Sequence, residues 1–335
     1  MKAEDNRRIL AIGAGGAGIR VINRMIGKRM EGMKFAGIDA DRQSLKLCRA
    51  SERLYIGEEA CAGADGRKAE LSHGGRIWEA LDGARMVFLF CGAGGCTGME
   101  AACAVAELAK EKGIFTAAIV TSPFYFEGNV CMQRAAGDLR RLRTKADSVT
   151  IVSNDAAFLD MDWNSSIWEA LQKADDVICQ MVWHIVKYRN AYGMIYVDME
   201  DIQEIMKGPG ITYIGIGEGR GEDRIEEAVR EAMQSRWQSH KLCGADRAAV
   251  LIEGNVDLLE ADNLCVRISE WAAEGARVIS ALNWEESDRC TVVVIAGGTG
   301  NFEDGPGGAE EDDTELLLQI PEGLFVLLEE KSNGR

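Results

Sequence analysis

The residues best suited to chemistry are glycines close to the start of the chain. The stretch ILAIGAGGAGIRVINRM places Gly13, Gly15, Gly16 and Gly18 between an apolar segment and a predicted helix. This G-x-G-x-x-G spacing is typical of a turn whose backbone N–H groups approach a pyrophosphate at a helix N-terminus. Asp39 follows about 21 residues after Gly18, where dinucleotide-binding proteins place a ribose-binding acid. The stretch alone leaves open an NAD-type dehydrogenase and a protein that binds another nucleotide.

A second glycine turn, CGAGGCTGM, also lies between an apolar segment and a predicted helix. Its glycines Gly94, Gly95 and Gly98 allow close backbone approach, and Thr97 adds a hydroxyl. Turns at the carboxyl ends of neighbouring strands face one crevice. A dehydrogenase needs one such turn, whereas two turns favour a longer polyphosphate held from both sides. The chain has no G-x-x-x-x-G-K-[ST] sequence, so a P-loop site is not expected.

The segments around the two turns predict a parallel sheet with helices on both faces. Strands alternate with helical patterns, and several strands are continuous apolar runs, which is typical of a sheet buried on both sides. The predicted strands are 9–13, 34–40, 85–92, 115–123 and 148–155, and the predicted helices among them are 17–30 and 98–112. A long amphipathic helix is predicted over 165–190.

Beyond residue 190 the pattern predicts a smaller α/β unit with a mixed four-stranded sheet. Its predicted helices are 199–207, 222–235 and 260–273, and its predicted strands are 211–219, 248–254 and 290–298. The expected domains are 1–164 for nucleotide binding, 165–190 for the central helix, 191–298 for the second domain and 299–335 for an acidic, glycine-rich linker with an apolar tail.

Composition narrows the classes of partner. The 335 residues carry a formal net charge of −16, which argues against binding to nucleic acid or to an anionic membrane surface. The ten cysteines form no C-x-x-C pair, and His73, His184 and His240 are far apart, so no metal site on the protein is expected. No apolar run reaches the roughly 18 residues of a membrane span. These features predict a cytoplasmic protein with reduced thiols.

The second turn, GGCTGME, resembles the G-G-G-T-G-[ST]-G signature of the tubulin/FtsZ GTPase family. The chain is similar to FtsZ members of that family over about residues 7–298. The similar segments are IGAGGAGIRVINRM, DADRQSL, GRKAELS, VTSPFYFEG, SNDAAFL, VDMEDIQEIM and GIGEGRGEDRIEEAVREAMQS. The resemblance implies an α/β fold with a Rossmann-type parallel sheet domain, a long central helix and a smaller domain with a mixed four-stranded sheet. A dehydrogenase becomes the weaker interpretation, because no histidine lies at a strand end of the first domain.

The resemblance also implies which residues bind GTP or GDP. The residues carried over are Gly15, Gly16, Gly18, Arg20, Asp39, Gly94, Gly95, Cys96, Thr97, Gly98, Glu127, Asn154 and Asp175. Glu127 falls on the ribose-contacting acid and Asp175 on the acid that reads guanine. A carboxylate there would accept from guanine N1–H and the 2-amino group together, which adenine does not offer. The simpler interpretations are a solvated loop acid for Glu127 and an exposed helix acid for Asp175, which has Asp176 beside it.

Catalysis in the family takes place between subunits, and the resemblance assigns it to Asp198 and Asp201. These acids would enter the nucleotide site of the next protomer and polarise the attacking water, while Mg²⁺ on the phosphates takes up developing charge. The implied partner is a second copy of the chain in a head-to-tail filament, with a role in bacterial cell division. The simpler interpretation is that Asp198 caps a helix whose first turn contains Asp201.

Several positions depart from the family pattern. Arg20 replaces a guanine-contacting Asn, Cys131 replaces an arginine near the ribose, and Tyr196 replaces an Asn before the first catalytic acid. Cys96 and Met99-Glu100 alter the second turn, which brings Glu100 near the phosphates. The loop around 61–66 is about four residues shorter than in the family. Together these changes indicate a paralogue with altered nucleotide handling and slow hydrolysis.

Two further alternatives concern activity and the tail. A chain with this fold could instead be a regulatory or structural module with little GTPase activity that assembles with another FtsZ. The segment LQIPEGLF, within residues 316–328, resembles the family's docking peptide for membrane-tether proteins. The other interpretation of the tail is a final strand or helix that packs on the body.

Overall fold

The computed structural model describes residues 9–57, 67–161, 164–190, 195–208, 210–238 and 244–299. These residues form two compact units, one up to Cys179 and the other from Gln180 onwards. The shortened loop 61–66, His240 and the tail at 316–328 lie outside the described residues.

The first unit is built on a six-stranded parallel sheet. Its strands are β1 (Ile9–Ala14), β2 (Lys34–Asp39), β3 (Glu52–Tyr55), β4 (Met86–Gly92), β5 (Phe115–Ser122) and β6 (Ser148–Ser153). The order is β3-β2-β1-β4-β5-β6, and every neighbouring pair is parallel. All five strands predicted for this sheet are present. Strand β3 was not predicted; it is a four-residue edge strand that exposes its first two residues.

In the part of the chain that the structure describes, seven α-helices begin in this unit. They are α1 (Gly15–Gly27), α2 (Arg42–Leu47), α3 (Arg67–Ala80), α4 (Cys96–Glu111), α5 (Asn129–Arg143), α6 (Ala157–Asp160) and the long α7 (Ile167–Asn190). The strand order runs outward from the neighbours β1 and β4 in both directions. In open α/β sheets this reversal point leaves a crevice at the carboxyl ends of the two strands. Helices α1 and α4 start at those ends.

The inner strands are apolar because both of their faces are covered. Every residue of β1 and β6 is buried, as are six of the seven in β4. Phe88 and Phe90 of β4 and Ile22 of α1 are completely excluded from solvent. The sheet is thus a rigid base that fixes where the strand ends lie.

Helix α1 packs closely on β1 and β4 because glycines lie at the points of contact. A Cβ on Gly18 would lie 2.2 Å from the carbonyl oxygen of Phe90, and a Cβ on Gly13 would lie 2.3 Å from the carbonyl oxygen of Gly18. Both distances are far below van der Waals contact, so only glycine allows this approach. Gly18, carried over as a ligand residue, therefore brings the helix onto the sheet.

The second unit contains a four-stranded mixed sheet, as predicted. Its elements are α8 (Met199–Met206), β7 (Ile211–Arg220), α9 (Arg224–Met233), β8 (Arg247–Gly254), α10 (Leu258–Trp271), β9 (Arg277–Trp284) and β10 (Arg289–Thr299). The order is β7-β10-β8-β9, in which β10 is antiparallel to both neighbours and β8 is parallel to β9. Strand β9, which was not among the predicted strands, lies at the sheet edge and is mostly half-buried.

Helix α9 lies directly on β7. A Cβ on Gly217 would lie 1.9 Å from the carbonyl oxygen of Ala228. The buried hydroxyl of Tyr213 donates to the carbonyl oxygen of Ala232 at 2.7 Å. Because glycines alternate on this face of β7, helix α9 contacts the backbone of the strand directly, with no layer of side chains between them.

Replacing Gly18 with alanine is expected to destabilise the first unit by about 2–3 kcal/mol, because the added methyl meets backbone that has no rotamer to change. Gly16→Ala is the matched control in the same helix, since its Cβ would have no described atom within 4 Å. Urea unfolding of both variants measures the difference between their free energies of unfolding. Equal stability of the two variants would contradict the contact at Phe90.

Candidate functional site

A cleft of about 490 Å³ opens at the carboxyl ends of the inner strands of the first unit. Eleven of the thirteen residues predicted to bind nucleotide line it: Gly15, Gly16, Arg20, Asp39, Gly94, Gly95, Cys96, Thr97, Gly98, Glu127 and Asn154. Gly18 and Asp175 lie behind its wall, both buried. The cleft has the size of an ordinary small-molecule site.

Two helix N-termini face this cleft without a side-chain cap. Helix α1 follows Ala14 and helix α4 follows Gly95, and neither of these N-cap residues accepts a hydrogen bond through a side chain. The first turns of both helices also lack acidic residues. The first N–H groups of a helix need acceptors, and the helix dipole makes that end attractive to anions. Each helix therefore offers an anion site at the cleft.

The two glycine turns touch each other through their backbones. Gly15 has a φ of 70°, and a Cβ on it would lie 2.6 Å from the Cα of Gly98. A Cβ on Gly98 would lie 2.9 Å from the carbonyl oxygen of Ala14. The contact brings the two uncapped helix ends together, so that one polyphosphate can accept hydrogen bonds from both.

A buried acid that was not predicted as a site residue holds the second turn. Asp138 on α5 accepts a hydrogen bond from the N–H of Gly94 at 3.1 Å, and burial raises the pKa of its carboxyl. Gly94 has a φ of 82°, and a Cβ on it would lie 2.7 Å from the Sγ of Cys131. The sequence signal for Asp138 is an acid within the apolar stripe of an amphipathic helix.

A second buried acid holds the segment that carries Glu127. Asp155 accepts from the N–H of Tyr125 with both carboxylate oxygens at 3.1 Å, and burial raises its pKa to about 6. Glu127 itself accepts from the N–H of Phe124 at 2.8 Å and lies 3.8 Å from the Sγ of Cys131. These bonds orient Glu127 at the cleft wall.

Two predicted ligand residues, Arg20 and Asp175, form an ion pair with each other. Arg20 donates from Nε to Oδ2 at 2.6 Å and from Nη2 to Oδ1 at 3.1 Å. Burial raises the pKa of Asp175, and the guanidinium of Arg20 opposes that shift. The cleft also contains the buried Oδ1 of Asn154, which has no hydrogen-bond partner among the described residues. Such an acceptor is suited to a donor on a ligand.

Asp198 and Asp201 belong to the second unit, where they begin α8. Asp198 Oδ1 accepts from the N–H of Asp201 at 2.8 Å, and Asp201 Oδ2 accepts from the N–H of Asp198 at 3.3 Å. This reciprocal pair is a capping box. Arg277 lies 3.7 Å from Asp201, and Tyr196 just before the helix is exposed.

The expectation that Glu100 lies near the phosphates is wrong. Glu100 is buried on the face of α4 that packs on α5, where its Oε1 accepts from Arg141 at 2.7 Å. The helical turn after Thr97 rotates this side chain away from the cleft. Conversely, Asp41 and Ser44 line the cleft although they were not singled out individually. Asp41 caps α2 by accepting from the N–H groups of Gln43 and Ser44.

The described residues contain no group of three or more His, Cys, Asp or Glu side chains placed to hold a metal ion. Among the same residues, no helix is both long enough and apolar enough to span a bilayer.

Two domain families of known proteins match successive parts of the chain, and two relatives match most of its length. The tubulin/FtsZ family GTPase domain matches residues 8–161, and the FtsZ family C-terminal domain matches residues 210–300. Cell division protein FtsZ 1 of Pyrococcus horikoshii is 33% identical over 330 residues, which is 94% of this chain and 88% of that protein. The protein of the same name from Thermococcus kodakarensis is 34% identical over 83% of this chain and 77% of its own length.

The fold of the chain is also similar to solved structures of FtsZ and CetZ proteins. An FtsZ dimer of M. jannaschii without ligand is 31% identical, with a TM-score of 0.76 and 88% of each chain covered. CetZ2 of Haloferax volcanii, solved as a GTPγS-bound protofilament, has a TM-score of 0.76 over 93% of this chain and 98% of its own. At 20% identity, the second likeness supports the fold alone.

The buried carboxyl of Asp155 predicts a specific pH dependence of stability. Because its folded pKa of about 6 exceeds the ordinary value of 3.8, the native state binds more protons than the unfolded state between these pH values. Wild-type stability therefore falls as pH rises through that window. Asp155→Asn removes this loss, so its stability relative to wild type should improve by about 2 kcal/mol from pH 4 to pH 7. Chemical denaturation at several pH values measures the difference, and a pH-independent difference would contradict the shift.

Proposed function

Because this chain belongs to the tubulin/FtsZ family of GTPases, we propose that it binds GTP in the cleft of its first unit and hydrolyses it between successive protomers of a filament. The observation that carries the proposal is the convergence of two uncapped helix N-termini at one cleft. A triphosphate supplies acceptors for both helix ends, whereas a single phosphate would satisfy one.

The first unit binds the triphosphate and stabilises the charge that develops on it. The N–H groups that follow Gly15 and Gly95 donate to phosphate oxygens, and Thr97 lines the same cleft. These donors are held in place before the reaction by the sheet, by the contact between the glycine turns and by Asp138. Preorganised donors of this kind lower the barrier because they need no rearrangement as charge builds up.

Mg²⁺ is the metal that such a site would hold with its nucleotide. The cleft-lining carboxylates of Asp39 and Asp41 fit it, since oxygen is the ligand type that Mg²⁺ prefers. When bound on the phosphates, Mg²⁺ would neutralise part of their charge. Asp39 is buried and accepts from the N–H of Asp41 at 3.1 Å, which fixes its position.

Asp198 and Asp201 are proposed to act on the nucleotide of the neighbouring protomer. Their capping box holds both carboxylates at the start of α8. From there they would position the attacking water and accept its proton. In this arrangement each cleft is complete only when a second copy supplies the acids, so hydrolysis depends on assembly.

The cellular role that we propose is cell division by a head-to-tail filament. Relatives at about a third identity carry the name cell division protein, and a similar chain from M. jannaschii was solved as a dimer. These relatives are archaeal, so they support division without supporting the bacterial setting expected from the sequence.

Phosphate release per molecule should rise with protein concentration, and Asp201→Asn should lower it about 100-fold at every concentration. Asparagine keeps an acceptor for the helix cap, so the variant should keep its melting temperature. Glu260→Gln is the matched control, since Glu260 forms the same capping box with Asp257 elsewhere in this unit.

A mixing experiment tests the shared site directly. Gly16→Asp places a carboxylate in open space at the N-terminus of α1, where it should repel phosphate. Mixing this variant with Asp201→Asn should restore activity that neither has alone, because an intact cleft then meets intact acids. Activity that is independent of concentration, or no recovery on mixing, would contradict hydrolysis between protomers.

A further inference from the structure

The guanidinium of Arg20 stands between the cleft and the carboxylate of Asp175. Arg20 lines the cleft and keeps 20% of its side chain exposed, whereas Asp175 behind it is 1% exposed. Both carboxylate oxygens accept from Arg20, at 2.6 Å and 3.1 Å. At this point the cleft therefore presents a cation and not a carboxylate.

Arg20 keeps donors for a ligand while it holds Asp175. A guanidinium has five N–H groups, of which the ion pair uses one on Nε and one on Nη2. The other three, on Nη1 and Nη2, have no acceptor in the described part of the chain. These two nitrogens form a fork that matches two adjacent acceptors on a planar ligand.

The position of Arg20 suits the base of a nucleotide. It lies five residues after Gly15 on α1, so it is about 7 Å along the helix axis from the end that faces phosphate. Leu171, one turn before Asp175 on α7, lines the same cleft and offers apolar surface to a ring. Ribose and base extend from the phosphates over such a distance.

We propose that Arg20 reads the base through the O6 and N7 acceptors of guanine, and that Asp175 positions Arg20 without contacting the base. This inference rests on the proposed GTP site. Arginine forms a bidentate pair with guanine O6 and N7, whereas adenine presents a donor in place of O6. Arg20 is thus a specificity-determining residue, and Asp175 is a positioning residue.

The alternative assignment, in which Asp175 reads the base, makes a different prediction. A carboxylate would accept from N1–H and the 2-amino group, and hypoxanthine lacks that amino group. Hypoxanthine has the same O6 and N7 as guanine, so reading by Arg20 treats the two bases alike. The ratio of affinities for IDP and GDP therefore separates the two assignments.

Binding of GDP, IDP and ADP by calorimetry tests the proposal without hydrolysis. In the wild type, IDP should bind within about 3-fold of GDP, and ADP should bind about 30-fold more weakly or worse. Arg20→Asn frees the carboxylate, so preference for GDP over IDP should rise about tenfold. Any contribution of Asn154 to either base cancels when the variant is compared with the wild type.

Arg24→Asn provides the matched control. Arg24 lies one turn after Arg20 on α1, donates to Asp176, the residue next to Asp175 on α7, at 2.8 Å, and does not line the cleft. This variant should leave the ratio of IDP to GDP affinities unchanged.

Arg20→Lys keeps a cation beside Asp175 but loses the fork, so it should weaken the binding of GDP and of IDP equally, by about tenfold. Because Arg20→Lys keeps the positive charge beside Asp175, this variant also distinguishes loss of base recognition from loss of folding.

A wild type that prefers GDP over IDP by tenfold, with the same ratio in Arg20→Asn, would overturn the role of Arg20 and leave the GTP site intact. Failure of the wild type to bind any guanine nucleotide would overturn the proposed function together with this inference.

Discussion

The site depends on the contact between two glycine turns at the reversal point of the sheet. Gly15 and Gly98 meet with no side chain between them, and Gly18 brings α1 against β4 in the same way. These contacts are steric constraints on backbone, so they fix distance more tightly than side-chain packing does. Since the strands beneath are buried, the sheet and these contacts together hold the two helix ends close to each other at the cleft.

Buried carboxylates hold the loops around this contact. Asp138 accepts from the second turn, and Asp155 accepts from the segment that carries Glu127. Burial raises the pKa of both acids. A charged group in such a place is costly unless it is hydrogen-bonded, so each acid favours the loop conformation that supplies its donor. The loops are therefore ordered by groups that do not line the cleft themselves.

The sequence predicted the interior of the fold better than its margins. Strands buried on both faces, such as β1 and β4, are continuous apolar runs, and glycine spacing marked both turns. The strands β3 and β9 were missed because each lies at a sheet edge, where exposed positions break the apolar pattern. Within the cleft, the two glycine motifs and the family resemblance together identified eleven of the residues that line the wall. The pairing of Arg20 with Asp175 was missed because it joins positions 155 residues apart, and no local pattern encodes such a contact.

The ion pair between Arg20 and Asp175 also changes how the cleft responds to its ligand. A buried carboxylate without a cation would be unsatisfied in the empty cleft, and a bound base would relieve it. Ligand binding would then stabilise the base end of the site strongly, because only the occupied state satisfies the charge. In this chain Arg20 pairs with Asp175 from an adjacent helix of the same unit. Asp175 therefore does not need a base to satisfy its charge. Binding of a base at this end of the cleft depends on the N–H groups of Arg20 that the ion pair does not use.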